Sequence, residues 1–206
     1  MPVLLRLPDV AQEALAELVP LLLCGEESAA LTFGRLSLGS QFSPRARAEL
    51  AGIAADELQH ERLLQALRQA LPLASDDSEI RRAARRFFVQ IGRGDLGEHF
   101  ARIAALDSGI CALLGTLRER GSPLLTDEYL TTLLARIHRD EARHVQVSRR
   151  HARQLLGPRV AHTMATEMRA RLATLVALRG GALEMLGVDT DRLLLRLRRV
   201  PRALFE

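Results

Sequence analysis

The chain has 206 residues, 48% of them hydrophobic but only 3% aromatic, and a net charge of +4 in which every one of the 29 basic residues is arginine. That length suits one domain, or one domain with an appendage. The Leu, Ala, Arg and Glu bias is helical, and no run alternates β-branched with polar residues as a strand would. Two cysteines, Cys24 and Cys111, make no disulfide framework.

Met1 to Pro8 lacks a secretory leader pattern. No stretch reaches ~18 uninterrupted apolar residues, the length a membrane span needs. The expectation is therefore a cytoplasmic protein with no membrane partner. Arg-Arg pairs at 81-82, 85-86 and 149-150 have no aromatic residues between them to stack bases. They read as solvated helix faces, and no nucleic-acid partner is expected.

Taken in order, Asp9 can cap a helix reaching about Gly39, which Pro20 either kinks or splits. Ser43-Pro44 opens a second helix that Pro72 stops after Leu71. Ser75-Asp76-Asp77-Ser78 starts a third, ending near Gly92-Arg93-Gly94. Asp95 caps a fourth to about Arg120, and Thr126 starts a long fifth that ends at Gly157-Pro158. A further helix spans about 159–179, and Val188-Asp189-Thr190-Asp191 opens a last one to about Arg199.

The chemistry concentrates in two matching segments, Asp56-Glu57-Leu58-Gln59-His60 and Asp140-Glu141-Ala142-Arg143-His144. In each, a glutamate stands three residues before an imidazole, so both point from one face of a helix. Glu57 and His60 interrupt an apolar stripe through Leu50, Ile53 and Leu64; Glu141 and His144 interrupt one through Leu134, Ile137 and Val145. The neighbouring helices each carry a lone acid in their apolar face. Asp107 lies between Ile103 and Cys111, and Glu26 lies among Leu22, Ala29 and Phe33, with Glu27 as its competitor at the edge of that face.

Depth along the hairpins agrees. Glu26 is 13 residues before Gly39 and Glu57 is 14 after Ser43; Asp107 is 14 before Gly121 and Glu141 is 15 after Thr126. Equal distances from a turn meet in an antiparallel pair. Four buried carboxylates without lysine or a facing arginine need positive charge, and two divalent cations supply it. Oxygen and imidazole donors without thiolate suit iron or manganese. Glu61, one turn beyond Glu57, and His138, one turn before Glu141, are candidates to orient a ligand or add one.

These residues resemble the ferritin-like di-iron carboxylate superfamily. There, one acid on each of two helices and a Glu-x-x-His on each of two others point into an antiparallel four-helix bundle. The resemblance covers about residues 20–156. Gly25-Glu26 with Ala29 and Phe33 is similar to the first-helix segment of rubrerythrins and aldehyde-deformylating oxygenases. Asp107 departs from the usual glutamate, which puts bridging on that side in question.

The resemblance implies one all-α ferritin-like domain over 1–206. Its bundle core would span about 9–157, with a long crossover at about 72–95 and a C-terminal helical extension at about 158–206. It further implies two iron ions, with manganese or a mixed pair as variants. Glu57 and Glu141 would bridge them, His60 and His144 would hold one each, and Glu26 and Asp107 would be terminal. The activity implied is that of a non-haem di-iron oxidoreductase activating O2, read first as an oxidase or oxygenase on a small organic substrate. The alternative is a ferroxidase, iron-storage or peroxide-scavenging protein. A homodimer is compatible with either. The absence of Cys-x-x-Cys pairs excludes a complete rubrerythrin, and the sole Tyr129, 12 residues before Glu141, argues against a stored tyrosyl radical.

Overall fold

The computed structural model describes residues 4–74 and 77–206. Among them the secondary structure is all helical: α1 Asp9–Ser37, α2 Pro44–Ala70, α3 Ser78–Ile91, α4 Leu96–Leu117, α5 Glu128–Leu155, α6 Pro158–Ala177, α7 Gly180–Met185 and α8 Thr190–Arg198. Short 3-10 turns cover Pro123–Thr126 and Arg202–Leu204.

Polar caps set several boundaries. The Ser43 hydroxyl accepts from the Ala46 amide at 3.2 Å, with Pro44 in the first turn. Asp95 accepts from Glu98 N at 2.8 Å, and Asp189 from Arg192 N at 2.9 Å. Asp127 is buried and does two things: Oδ1 caps α5 at Leu130 N, and Oδ2 accepts the Arg6 amide at 2.7 Å, pinning the segment before α1. Capping of this kind contributes about 1 kcal/mol per site.

Some expected boundaries move. Pro20 does not split α1 into two helices. The helix runs through it, and its N-cap is Pro8 rather than Asp9. Pro20 forfeits one ladder hydrogen bond, but it is buried, and packing against α2, α3 and α7 holds the helix on both sides of it. α5 starts at Glu128, two residues later than Thr126, because Pro123–Thr126 forms a 3-10 turn and Asp127 takes the cap. α4 stops at Leu117 rather than Arg120. Ser75 and Asp76, placed at the start of the third helix, lie outside the described residues; Asp77 is its N-cap. Gly180 begins a further short helix, α7, between the two expected at the C-terminal end.

α1 packs most extensively on α2, and α4 on α5, so two helix hairpins form the centre and meet where α2 touches α5. α3, inside the connection between the hairpins, lies on α1. α6 covers α4, and α8 in turn packs on α6 and α4. By length and mean hydropathy, 1.5 over its most apolar window, α4 could cross a membrane, although the sequence shows no uninterrupted apolar run. Here it is enclosed by α5, α6 and α8, with Asp107 buried in its middle.

α6 is locked down by Arg169. This side chain is buried and has no carboxylate partner. It donates to the Leu197 carbonyl at 2.5 Å, the Arg196 carbonyl at 3.0 Å and the Ser108 hydroxyl at 3.1 Å. The two carbonyls belong to the last turn of α8, where a cation is favoured by the helix dipole. At Gly109 a Cβ would stand 2.3 Å from Leu172 Cδ2, so the absence of a side chain lets α4 and α6 approach closely.

Candidate metal centre

Glu26 comes from α1, Glu57 and His60 from α2, Asp107 from α4, and Glu141 and His144 from α5; all six are buried. Glu26, Glu57, His60 and Glu141 each offer a ligand atom, and these atoms lie within 4.8 Å of one another. His144 adjoins them, with Nδ1 3.0 Å from Glu57 Oε1 and 4.0 Å from Glu141 Oε1. Asp107 Oδ2 has no hydrogen-bond partner among the described residues, and Asp107 lines the same small cavity as Glu26, Glu57 and Glu141.

The two imidazoles are arranged alike. His60 Nδ1 faces Glu26 Oε2 at 3.3 Å and Glu57 Oε2 at 3.4 Å, while its Nε2 donates to Asp140 Oδ2 at 3.1 Å. His144 Nδ1 faces Glu57, and its Nε2 donates to Asp56 Oδ2 at 3.3 Å. Each histidine is therefore held from behind by the aspartate of the opposite motif, with Nδ1 turned to the carboxylates. Arg143 is ion-paired to Asp56 and lies 4.0 Å from Asp140, anchoring both holders at the rim. Orientation of this kind fixes tautomer and basicity in a ligating imidazole.

Asp56, Asp140 and Arg143 were not singled out from sequence, though the signal was there. Both motifs read Asp-Glu-x-x-His, so an aspartate precedes each glutamate. Which histidine each holds depends on how the two helices cross, and one-dimensional spacing does not carry that.

The other candidates fall outside the cluster. Glu27 is exposed, so the buried acid of α1 is Glu26. Glu61 is half-buried on α2 and outside the group of ligand atoms. His138 is half-buried and engaged elsewhere, its Nδ1 2.9 Å from Arg118 Nη1. Burial, with help from Arg118 and Arg196, lowers its pKa. Tyr129 donates to the Leu63 carbonyl at 3.3 Å, away from the cluster.

Electrostatically the cluster is a set of acids competing for few protons. Burial pushes Glu26 well above the usual carboxylate range, even against the hydrogen bond from His60. Burial likewise pushes Asp107 well up, reinforced by Glu141, Glu57 and Glu26. Glu141 rises to about 8, from burial and then the charge of Glu57. Burial would raise Glu57 too, but the nearby His144 and His60 outweigh it and hold it low.

For His60, burial works downward, and Glu26, Glu57 and Asp140 together lift it to about 11. A neutral Glu26 cannot help lift His60, so those two upward shifts compete. The direction for His60 rests on Glu57 and Asp140. His144 is raised as well, by Glu57, Glu141 and Asp56 against burial.

Among the described residues, the buried side-chain atoms without a hydrogen-bond partner include His99 Nε2, Arg118 Nε, Ser148 Oγ and His151 Nε2 elsewhere in the fold, and three at this site: Glu57 Oε2, Asp107 Oδ2 and His144 Nδ1. Leaving such atoms unsatisfied costs about 1–3 kcal/mol each. The Nδ1 of His144 nevertheless stands 3.0 Å from Glu57 Oε1. Unsatisfied oxygen and nitrogen donors around a buried centre fit a hard or borderline divalent cation.

On the carboxylate side lies a narrow cavity of about 50 Å³. It touches Glu26, Glu57, Asp107 and Glu141 but neither histidine; its remaining walls are apolar and include Leu172, Leu175 and Val176 of α6. The imidazoles and the apolar approach thus lie on different sides of the acids. Neither the protein-family models nor the curated proteins contain a match to this chain.

Proposed function

We propose that this chain is a ferritin-like di-metal carboxylate protein whose metals are iron and which activates O2 as an oxidoreductase acting on a small organic substrate. The observation that carries the reading is the buried convergence of Glu26, Glu57, His60 and Glu141, with ligand atoms within 4.8 Å of one another. His144 and Asp107 flank it. The hairpin pairing of α1 with α2 and α4 with α5 is the arrangement such a bundle requires.

Glu26, Glu57, His60, Asp107, Glu141 and His144 would hold the ions, the two imidazoles through Nδ1. Bound iron supplies the redox equivalents and the affinity for O2. The chain's own part is to orient and to exclude water. Asp56 and Asp140 fix the imidazoles, and the apolar cavity keeps bulk water from the acids.

An apolar approach suits O2 and an organic substrate better than a hydrated Fe2+ ion, which favours the oxygenase reading over iron oxidation and storage. The inner cavity's size favours the alternative, since about 50 Å³ holds only one or two molecules the size of water. Size-exclusion chromatography separates them, because a large closed shell is expected for storage alone.

Anaerobic Fe(II) loading followed by metal analysis tests the centre, with about two ions per chain expected. The Glu57→Ala plus Glu141→Ala variant should bind none. Unchanged binding in that variant sinks the reading.

A further inference from the structure

A second, larger cavity of about 690 Å³ lies between α1, α3 and the start of α4, within the size range of small-molecule pockets. Phe88 of α3 lines both this outer cavity and the narrow inner one. Its ring Cζ lies 3.5 Å from where a Cβ on Gly25 would stand, so the ring packs over the backbone of α1 beside Glu26. Phe88 is thus the one residue in the described linings of both the ligand-sized space and the cavity beside the buried carboxylates.

The outer cavity has the chemistry of an amphipathic site. Leu31 and Val89 are exposed hydrophobic residues on its wall. Arg35 and Arg85 also line it, and neither makes an ion pair or side-chain hydrogen bond with a described residue. Glu27 is the sole acid among its described lining residues, so the wall carries an excess of positive charge. Unengaged guanidinium groups are suited to bidentate capture of a carboxylate. A cation on its way to the acids would meet repulsion here instead.

We propose that the outer cavity binds an organic anion with an aliphatic tail. The carboxylate head is held at Arg35 and Arg85, and the tail runs past Phe88 toward Glu26, Asp107 and Glu141. The inference rests on the oxygenase reading for its chemistry, but binding of the head does not require metal. It also resolves the size conflict: the substrate's bulk sits outside the inner cavity, and only its chain end enters.

The test is calorimetric titration of the full chain with octanoate and with octanol, with and without Co(II). Octanoate should bind at least tenfold more tightly than octanol in both forms. Arg35→Ala plus Arg85→Ala should lose at least tenfold for octanoate and leave octanol unchanged. Both arginines are exposed, so the variant should keep its helical circular dichroism. Phe88→Trp should weaken octanoate more than butyrate. In the Co(II) form, the terminal methyl of octanoate should be broadened more than its α-methylene in the proton NMR spectrum.

Wild-type octanoate affinity in the double arginine variant, equal binding of octanol, or stronger broadening of the α-methylene each overturns the proposal. Octanoate binding without any Co(II) binding removes the metal reading and keeps the anion site. Co(II) binding without octanoate binding does the reverse.

Discussion

At the scale of single residues, the cluster is a set of buried acids and imidazoles at which protons would compete with the proposed cation. Glu26, Asp107 and Glu141 have raised pKa values, as do His60 and His144. Each of these groups must shed its proton to become a ligand, so metal affinity should rise with pH across the neutral range. A titration with Co(II) at several pH values measures this. Groups with raised values bind more protons in the native state than in the unfolded chain, so their contribution to stability falls as pH rises.

The window follows from the shifts. The Glu141 contribution declines between 4.5 and about 8, and that of His60 between 6.5 and about 11. The ion-free protein should therefore melt at a lower temperature at pH 9 than at pH 6, and added metal should remove that difference. Asp56→Asn and Asp140→Asn should each weaken metal binding by roughly 10–100-fold while leaving helicity intact. Little change in affinity would mean that these aspartates are only surface charges. The six ligand candidates were legible in the sequence because each interrupts an apolar stripe. The aspartates were not, because their role depends on the opposite helix.

At the scale of elements, a-helical pattern and caps gave the order of helices, and competing forces moved the ends. Pro20 carries a local signal to break α1, but burial along both halves of a long helix overrides one lost hydrogen bond. The most consequential contact had no sequence signature at all. Arg169 looks like any other arginine in a chain with 29 of them, yet it is buried and ties α6 to the last turn of α8 and to α4. Burial lowers its pKa to about 10, still well above neutrality, so it keeps its charge. Arg169→Leu would strand two carbonyls and should cost about 2–4 kcal/mol. A fall in Tm of roughly 5–10 °C is expected by calorimetry. A change within error would show that solvent replaces those bonds freely.

At the scale of the whole molecule, the segment beyond residue 157 is structurally continuous with the hairpins. Leu172, Leu175 and Val176 close the inner cavity beside Asp107 and Glu141, and Leu172 occupies the space that Gly109 leaves on α4. Removing residues 158–206 would bare the apolar face of α4. The truncated chain should therefore bind 1-anilinonaphthalene-8-sulfonate and aggregate; a soluble, metal-binding truncation would show that the two hairpins suffice alone. The sequence marked this region as an added helical piece, but its place over the cavity depends on a close helix approach that spacing does not encode. The exchange of aspartates between the motifs has a consequence for how the proposed metal centre would assemble. Asp56 serves His144 and Asp140 serves His60, so neither hairpin owns an oriented ligand set while it stands apart from the other. If the cluster holds metal as proposed, a chain emerging during synthesis would offer cations no finished half-site, and capture would wait until both hairpins have docked.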